Sequence, residues 1–129
     1  MKYHRIFIGY DEPSFDTFNA VSQLMGVEPE PWEKDWFSPE EPNSWSYLVF
    51  TDDDAPYFDF INVFLNLLEP KFAALLQLGI TKDRISLTLA YLYKHQCALG
   101  FDAQEMLRLG ASGIGLAIDC FEEKENIQQ

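Results

Sequence analysis

The sequence predicts an α+β domain, with a mixed sheet of about five strands and helices mainly on one face. Two observations carry this. Segments rich in β-branched and aromatic residues (3–10, 44–51, 84–93) are interleaved with segments whose apolar residues recur every three or four positions (13–25, 57–78). Glycines and prolines punctuate the joins. The 129 residues suit a single domain, expected over 1–123 with a polar tail at 124–129. A chain of this size should bury about two-thirds of its surface. The 47% hydrophobic content, with eleven Phe, six Tyr and three Trp, supplies the core to do so.

The elements follow in order. YHRIFIGY (3–10) reads as a strand. Pro13 opens a helix carrying Phe15, Phe18, Val21, Leu24 and Met25, with Asp11 as the expected N-cap and Gly26 as the stop. Residues 27–43 hold four prolines and six acids, and no regular element is expected there. A loop this long in a small domain points to function or mobility. SWSYLVFT (44–51) is the second strand. Asp52-Asp53-Asp54 and Pro56 mark the start of a helix over 57–68, because acids suit the positive end of the helix dipole. Pro70 breaks or kinks this helix before the pattern resumes over 71–78. With apolar residues on nearly every side, it should lie mid-core.

RISLTLAYLY (84–93) alternates cleanly and reads as a half-buried strand, followed by a turn and a short strand over 97–101. Asp102 with Glu105 forms a capping pattern for a helix over 103–109, closed by Gly110. GIGLAIDCF (113–121) is the last strand. The order is then β-α-β-α-β-β-α-β, whose last six elements spell the ferredoxin-like βαββαβ motif after an extra β-α unit.

Charge is the loudest compositional signal: nine Lys and Arg oppose twenty-one Asp and Glu, for a net −12. The basic residues are scattered, so neither nucleic acid nor an anionic membrane surface is an expected partner. A basic protein is, because complementary fields steer association. Cys97 and Cys120 lie in apolar stretches without a C-x-x-C motif and are expected as reduced, buried thiols. The N-terminal residues lack the apolar run of a signal peptide, and no stretch reaches the length of a membrane span, so a cytoplasmic location is expected.

The chemistry-bearing residues give little sign of catalysis. His4 and His95 have no partner at metal-ligand spacing and are expected at the surface. Asp52-Asp53-Asp54 lacks the spacing and the glycine of a calcium loop; helix capping is the simpler reading. Gly110-Ala111-Ser112-Gly113-Ile114-Gly115 follows a helix and precedes a strand, the reverse of a phosphate-binding loop. A non-enzymatic domain without cofactor or metal is the expectation. In the proline-rich segment, rings alternate with acids: Glu30, Trp32, Glu33, Asp35, Trp36 and Phe37. Such a surface suits a partner rich in Arg and Lys, and Trp is enriched among binding hot spots. Alternatively, Trp32, Trp36 and Trp45 fold back as a lid on the helices.

Several motifs in order resemble a bacterial family of unknown function, the domain of unknown function numbered forty-two seventy-nine. They are Phe7-Ile8-Gly9, Gly26-Val27-Glu28-Pro29 followed by Trp32, the isolated Trp45, and Ile85-Ser86-Leu87-Thr88-Leu89. The ending Glu105-Met106-Leu107-Arg108-Leu109-Gly110 followed by Leu116-Ala117-Ile118-Asp119-Cys120-Phe121 resembles it most. The chain departs from that pattern at Glu33-Lys34-Asp35-Trp36, where the family carries a Lys-Gly turn. The resemblance implies a small intracellular single-domain protein, sometimes of a kind encoded beside toxins, and carries no catalytic residues. Together with the charge it leads to an immunity protein that occludes the basic active site of a toxin such as a nuclease, through Glu30, Trp32, Glu33, Asp35, Trp36, Phe37 and Asp52, Asp53, Asp54. A regulatory interaction module is the alternative. A small-ligand binder using the open sheet face at Ser86, Thr88 and Ala117 is a third reading.

Overall fold

The computed structural model describes residues 1–124. Four strands, β1 (Lys2–Gly9), β2 (Ser44–Thr51), β3 (Ile85–Tyr93) and β4 (Gly115–Glu122), form one sheet in the order β2-β1-β3-β4. β1 lies antiparallel to both neighbours, and β3 runs parallel to β4. The helices are α1 (Phe15–Met25), α2 (Phe60–Leu68), α3 (Phe72–Gln77) and α4 (Ala103–Ser112). The α+β class and the mixed sheet are as the sequence predicts; the fifth strand and the element order are not.

Residues 97–101 form no strand. A hairpin partner of β3 needs one of its sides free, and both are taken, one by β1 and the other by β4. The predicted β-hairpin is replaced by a crossover in which α4 connects two parallel strands. The ferredoxin-like motif is therefore absent, and 94–101 becomes a wall at the end of the sheet.

Register places His4, Ile6 and Ile8 of β1 on the same face as Trp45, Ile85, Leu87 and Leu89. All seven are buried, and Val21, Met25, Phe64, Leu65, Leu68 and Leu75 of the helices complete the core against them. The other face stays open. It carries Tyr3 beside Phe50, Phe7 beside Ser86, and Thr88 beside Ala117, with the Arg5–Glu30 pair across its middle.

The caps are partly legible. Gly26 takes the left-handed conformation (φ 68°) and its N–H donates to the Ser22 carbonyl, ending α1 as predicted. The N-cap is Ser14 rather than Asp11: Ser14 Oγ accepts from Thr17 N at 3.1 Å, while Asp11 pairs with Arg84. Asp102 and Glu105 form the reciprocal capping box. The helix they start runs past Gly110 to Ser112, and Gly113 (φ 77°) ends it. The aspartate run does not cap α2, which begins only at Phe60 behind Asp59. Pro70 falls in a 3₁₀ turn, Glu69–Lys71, that separates α2 from α3. Among the described residues no helix is long and apolar enough to cross a membrane.

Candidate functional site

Two places concentrate functional groups, one at each end of β2. The loop 27–43 leaves α1 and first runs alongside β2, where Glu30 N donates to the Ser46 carbonyl at 2.8 Å. Glu30 then grips Arg5 with both oxygens, at 2.6 and 2.7 Å. That grip, more than its partial burial, holds the Glu30 carboxyl below the usual range and the Arg5 guanidinium above its own. Glu30 is thus committed inside the domain and is not free for a partner. Trp32 is half-buried edge-on against Phe15, with ring centroids 5.5 Å apart. Trp45 is fully buried and donates from Nε1 to Ser22 Oγ at 2.8 Å. The three tryptophans therefore divide. Trp45 is core and Trp32 is a lid, but Trp36 stands in solvent.

The tip of the loop is built, not frayed. Asp35 Oδ1 accepts from Phe37 N at 2.9 Å and from Ser38 N and Ser38 Oγ at 2.7 Å each, while Asp35 N donates to Ser38 Oγ. These bonds, the Ser38 side chain first, keep the Asp35 carboxylate ionised below its ordinary value. Lys34 pairs with Glu40 at 2.9 Å. The base is pinned to the N-terminus of α1 by Ser14 N to the Pro42 carbonyl (2.8 Å) and Phe15 N to Glu41 Oε1 (3.1 Å). On this turn Trp36 and Phe37 are each 97% exposed, next to Glu33 and Asp35, which are also exposed.

Asp52, Asp53 and Asp54 follow the other end of β2, about 24 Å away by the length of an eight-residue strand. The structure does not bring them to the loop tip. Asp53 accepts from the N-terminal ammonium and lies 3.8 Å from Lys94. The predicted partner surface is therefore two separate places, and 33–37 is the coherent one.

The aspartate run instead borders a cleft of about 490 Å³ at the end of the sheet. Its floor is Leu89, Tyr91 and the rings of Phe58 and Phe60; the segment 94–101 supplies a wall. Sequence reasoning placed His4 at the surface, yet it lines this cleft and is only 2% exposed. The signal was the i, i+2, i+4 run His4, Ile6, Ile8, obscured by the aromatics Tyr3 and Phe7 on the opposite face. The imidazole packs on Phe58 and Phe60, with centroids 4.9 and 5.1 Å away. Nδ1 donates to the Val49 carbonyl at 3.0 Å in the neutral ring.

Burial pushes the His4 pKa below its ordinary 6.5, Lys2 adds to that, and the Val49 bond opposes both. The unfolded chain takes up this proton near pH 6.5 and the folded chain resists it. Stability is therefore complete above pH 6.5 and is lost as pH falls toward the depressed folded value, by at most about 1.4 kcal/mol per pH unit. Comparing wild type with His4→Phe by urea denaturation from pH 7 to 5 should show a flatter profile in the variant. Parallel profiles would refute the assignment.

The cysteines also differ from expectation. Both are exposed: Cys120 sits near the end of β4, an edge strand, and Cys97 in the irregular segment 94–101. The Cys97 thiol neighbours that of Cys120, and their hydrogen bond is the main reason the Cys120 pKa is raised.

Comparison with family models, with curated proteins and with solved structures finds no match to this chain.

Proposed function

We propose that this domain is a non-enzymatic, acidic protein-binding module that docks on a basic partner through the loop tip 33–37. The observation that carries the reading is the pair Trp36 and Phe37, held 97% exposed on a hydrogen-bonded turn among carboxylates. Solvent exposure of two large rings costs stability, and a mobile loop could tuck them away. A turn that holds them out has already met the ordering entropy that binding otherwise demands. The net charge of −12 supplies long-range attraction to a cationic surface. Within this class we favour an immunity protein that covers the basic active site of a toxin such as a nuclease, since such sites must be positive to hold phosphate. A cytoplasmic place of action accords with that role. A regulatory module with a harmless partner uses the same surface.

The test uses the full chain as bait in lysate of its source cell, beside a Trp36→Ser/Phe37→Ser variant. A basic protein retained stoichiometrically by wild type and lost with the variant is expected. The purified pair should then weaken about 100-fold on the double substitution, the scale of a hot-spot pair. Its association rate should also fall steeply between low and high salt. Toxicity of the partner expressed alone selects the immunity reading, and a harmless partner selects the regulatory one. Equal retention by both baits, or an affinity unchanged by the substitutions, would overturn the proposal.

A further inference from the structure

The cleft at the far end of the sheet brings both histidines of the chain together with two of its lysines. In a chain with only nine Lys and Arg and two His, it is lined by Lys2, Lys94, His4 and His95. At about 490 Å³ it is in the size range of small-molecule sites. Its depth is aromatic, with Phe58, Phe60, Tyr91 and Phe101 facing the space. Asp52 and Asp53 also line the cleft; Asp53 pairs with the N-terminal ammonium and lies 3.8 Å from Lys94. Lys2 makes no close ion pair among the described residues, although its charge reaches Asp53; its Nζ rests 4.8 Å from the centre of the Tyr91 ring.

His4 sets the chemistry at the bottom. It is 98% buried by its 2% exposure, and its Nδ1–H is spent on Val49. That leaves Nε2 as an acceptor that makes no hydrogen bond among the described residues and, not being among their sealed unpartnered atoms, is open to the cleft. An acceptor open to a cleft with aromatic walls orients an occupant that can donate to it. His4 and Lys2 lie two residues apart on the same face of β1, about 6.8 Å along the strand. A benzene ring with its polar groups at opposite ends spans a similar distance.

We propose that this cleft binds a small planar aromatic acid, with its ring among Phe58, Phe60 and Tyr91, a ring hydroxyl or N–H donating to His4 Nε2, and its carboxylate at Lys2. The acceptor suits a donor on the ligand, the aromatic walls suit a flat apolar body, and Lys2, which has no close ion pair among the described residues, suits an anion. This binding is independent of the loop tip, which lies at the other end of β2.

The test is titration of the full chain at pH 7.5 with 4-hydroxybenzoate, benzoate and phenol, followed by the His4 imidazole NMR signals and by calorimetry. Saturable binding of 4-hydroxybenzoate with Kd of about 1 mM or tighter is expected, and each truncated probe should bind roughly tenfold more weakly. His4→Phe should abolish the advantage of 4-hydroxybenzoate over benzoate. Lys2→Gln, on an accessible side chain, should abolish its advantage over phenol and keeps the test valid if the His4 variant fails to fold. Absence of a saturable His4 shift, or three probes of equal affinity, would overturn the proposal.

Discussion

Replacing Trp45 with alanine is expected to destabilise the domain by about 3–5 kcal/mol, the range for removing a buried large aromatic. Trp45 is fully buried in the core face of β2, opposite Ile8, so its removal leaves a cavity that flanking strands cannot collapse into. A polar loss adds to this. Ser22 Oγ accepts from the indole N–H at 2.8 Å while donating to the Phe18 carbonyl at 3.0 Å, so the tryptophan also ties β2 to α1. Trp45→Phe retains much of the volume and loses one hydrogen bond, and should cost about 1–2 kcal/mol beyond the smaller packing change. Urea denaturation followed by far-ultraviolet circular dichroism measures both without relying on tryptophan emission. Trp36→Ala supplies the contrast and should change stability by less than about 0.5 kcal/mol, as for other exposed positions. Equal costs at the two tryptophans would mean that the loop is packed where the structure shows it exposed.

The second large effect falls on Glu105. The residue is 7% exposed, and its carboxylate serves two elements at once. Oε1 accepts from Asp102 N at 3.1 Å, completing the capping box, and Oε2 accepts from the Tyr57 hydroxyl at 2.5 Å. Glu105→Ala removes the side-chain half of the box and a charge-assisted bond to the segment before α2, for an expected cost of about 2–4 kcal/mol. Tyr57 reports the change directly. Burial, then the bond to Glu105 and its charge, raise the Tyr57 pKa above its ordinary 10. Because the folded value is raised, the linked stability is present below pH 10 and lost as pH climbs beyond it. Ultraviolet titration of tyrosinate should show one group moving back toward 10 in Glu105→Ala. An unchanged titration curve would show that the Tyr57–Glu105 bond does not form in solution.

Much of the fold was legible because it is encoded locally. Alternation over 84–93, the three-to-four repeat of 15–25, and the Asp102–Glu105 box each act within a few residues, and each appears where the pattern placed it. The site was legible only in part. Rings among acids marked the loop 27–43, but Glu30, Trp32, Trp36 and Phe37 had equal standing in one dimension. Which is spent on Arg5 or Phe15, and which is left to solvent, depends on how the loop lies along β2 and over α1.

What the chain determined unaided is therefore its acidic balance, the identity of most elements and the ends of several helices. All of these arise from residue type and short-range hydrogen bonding. Tertiary structure alone decided the strand order, the loss of a strand at 97–101 and the making of a cleft around His4. The reason is that a segment pairs with a given strand only if a side of that strand is vacant, and an imidazole is buried only if other elements close over it. Those conditions are set by residues distant in sequence: β1 and β4 occupy the two sides of β3, and Phe58 and Phe60 close on His4.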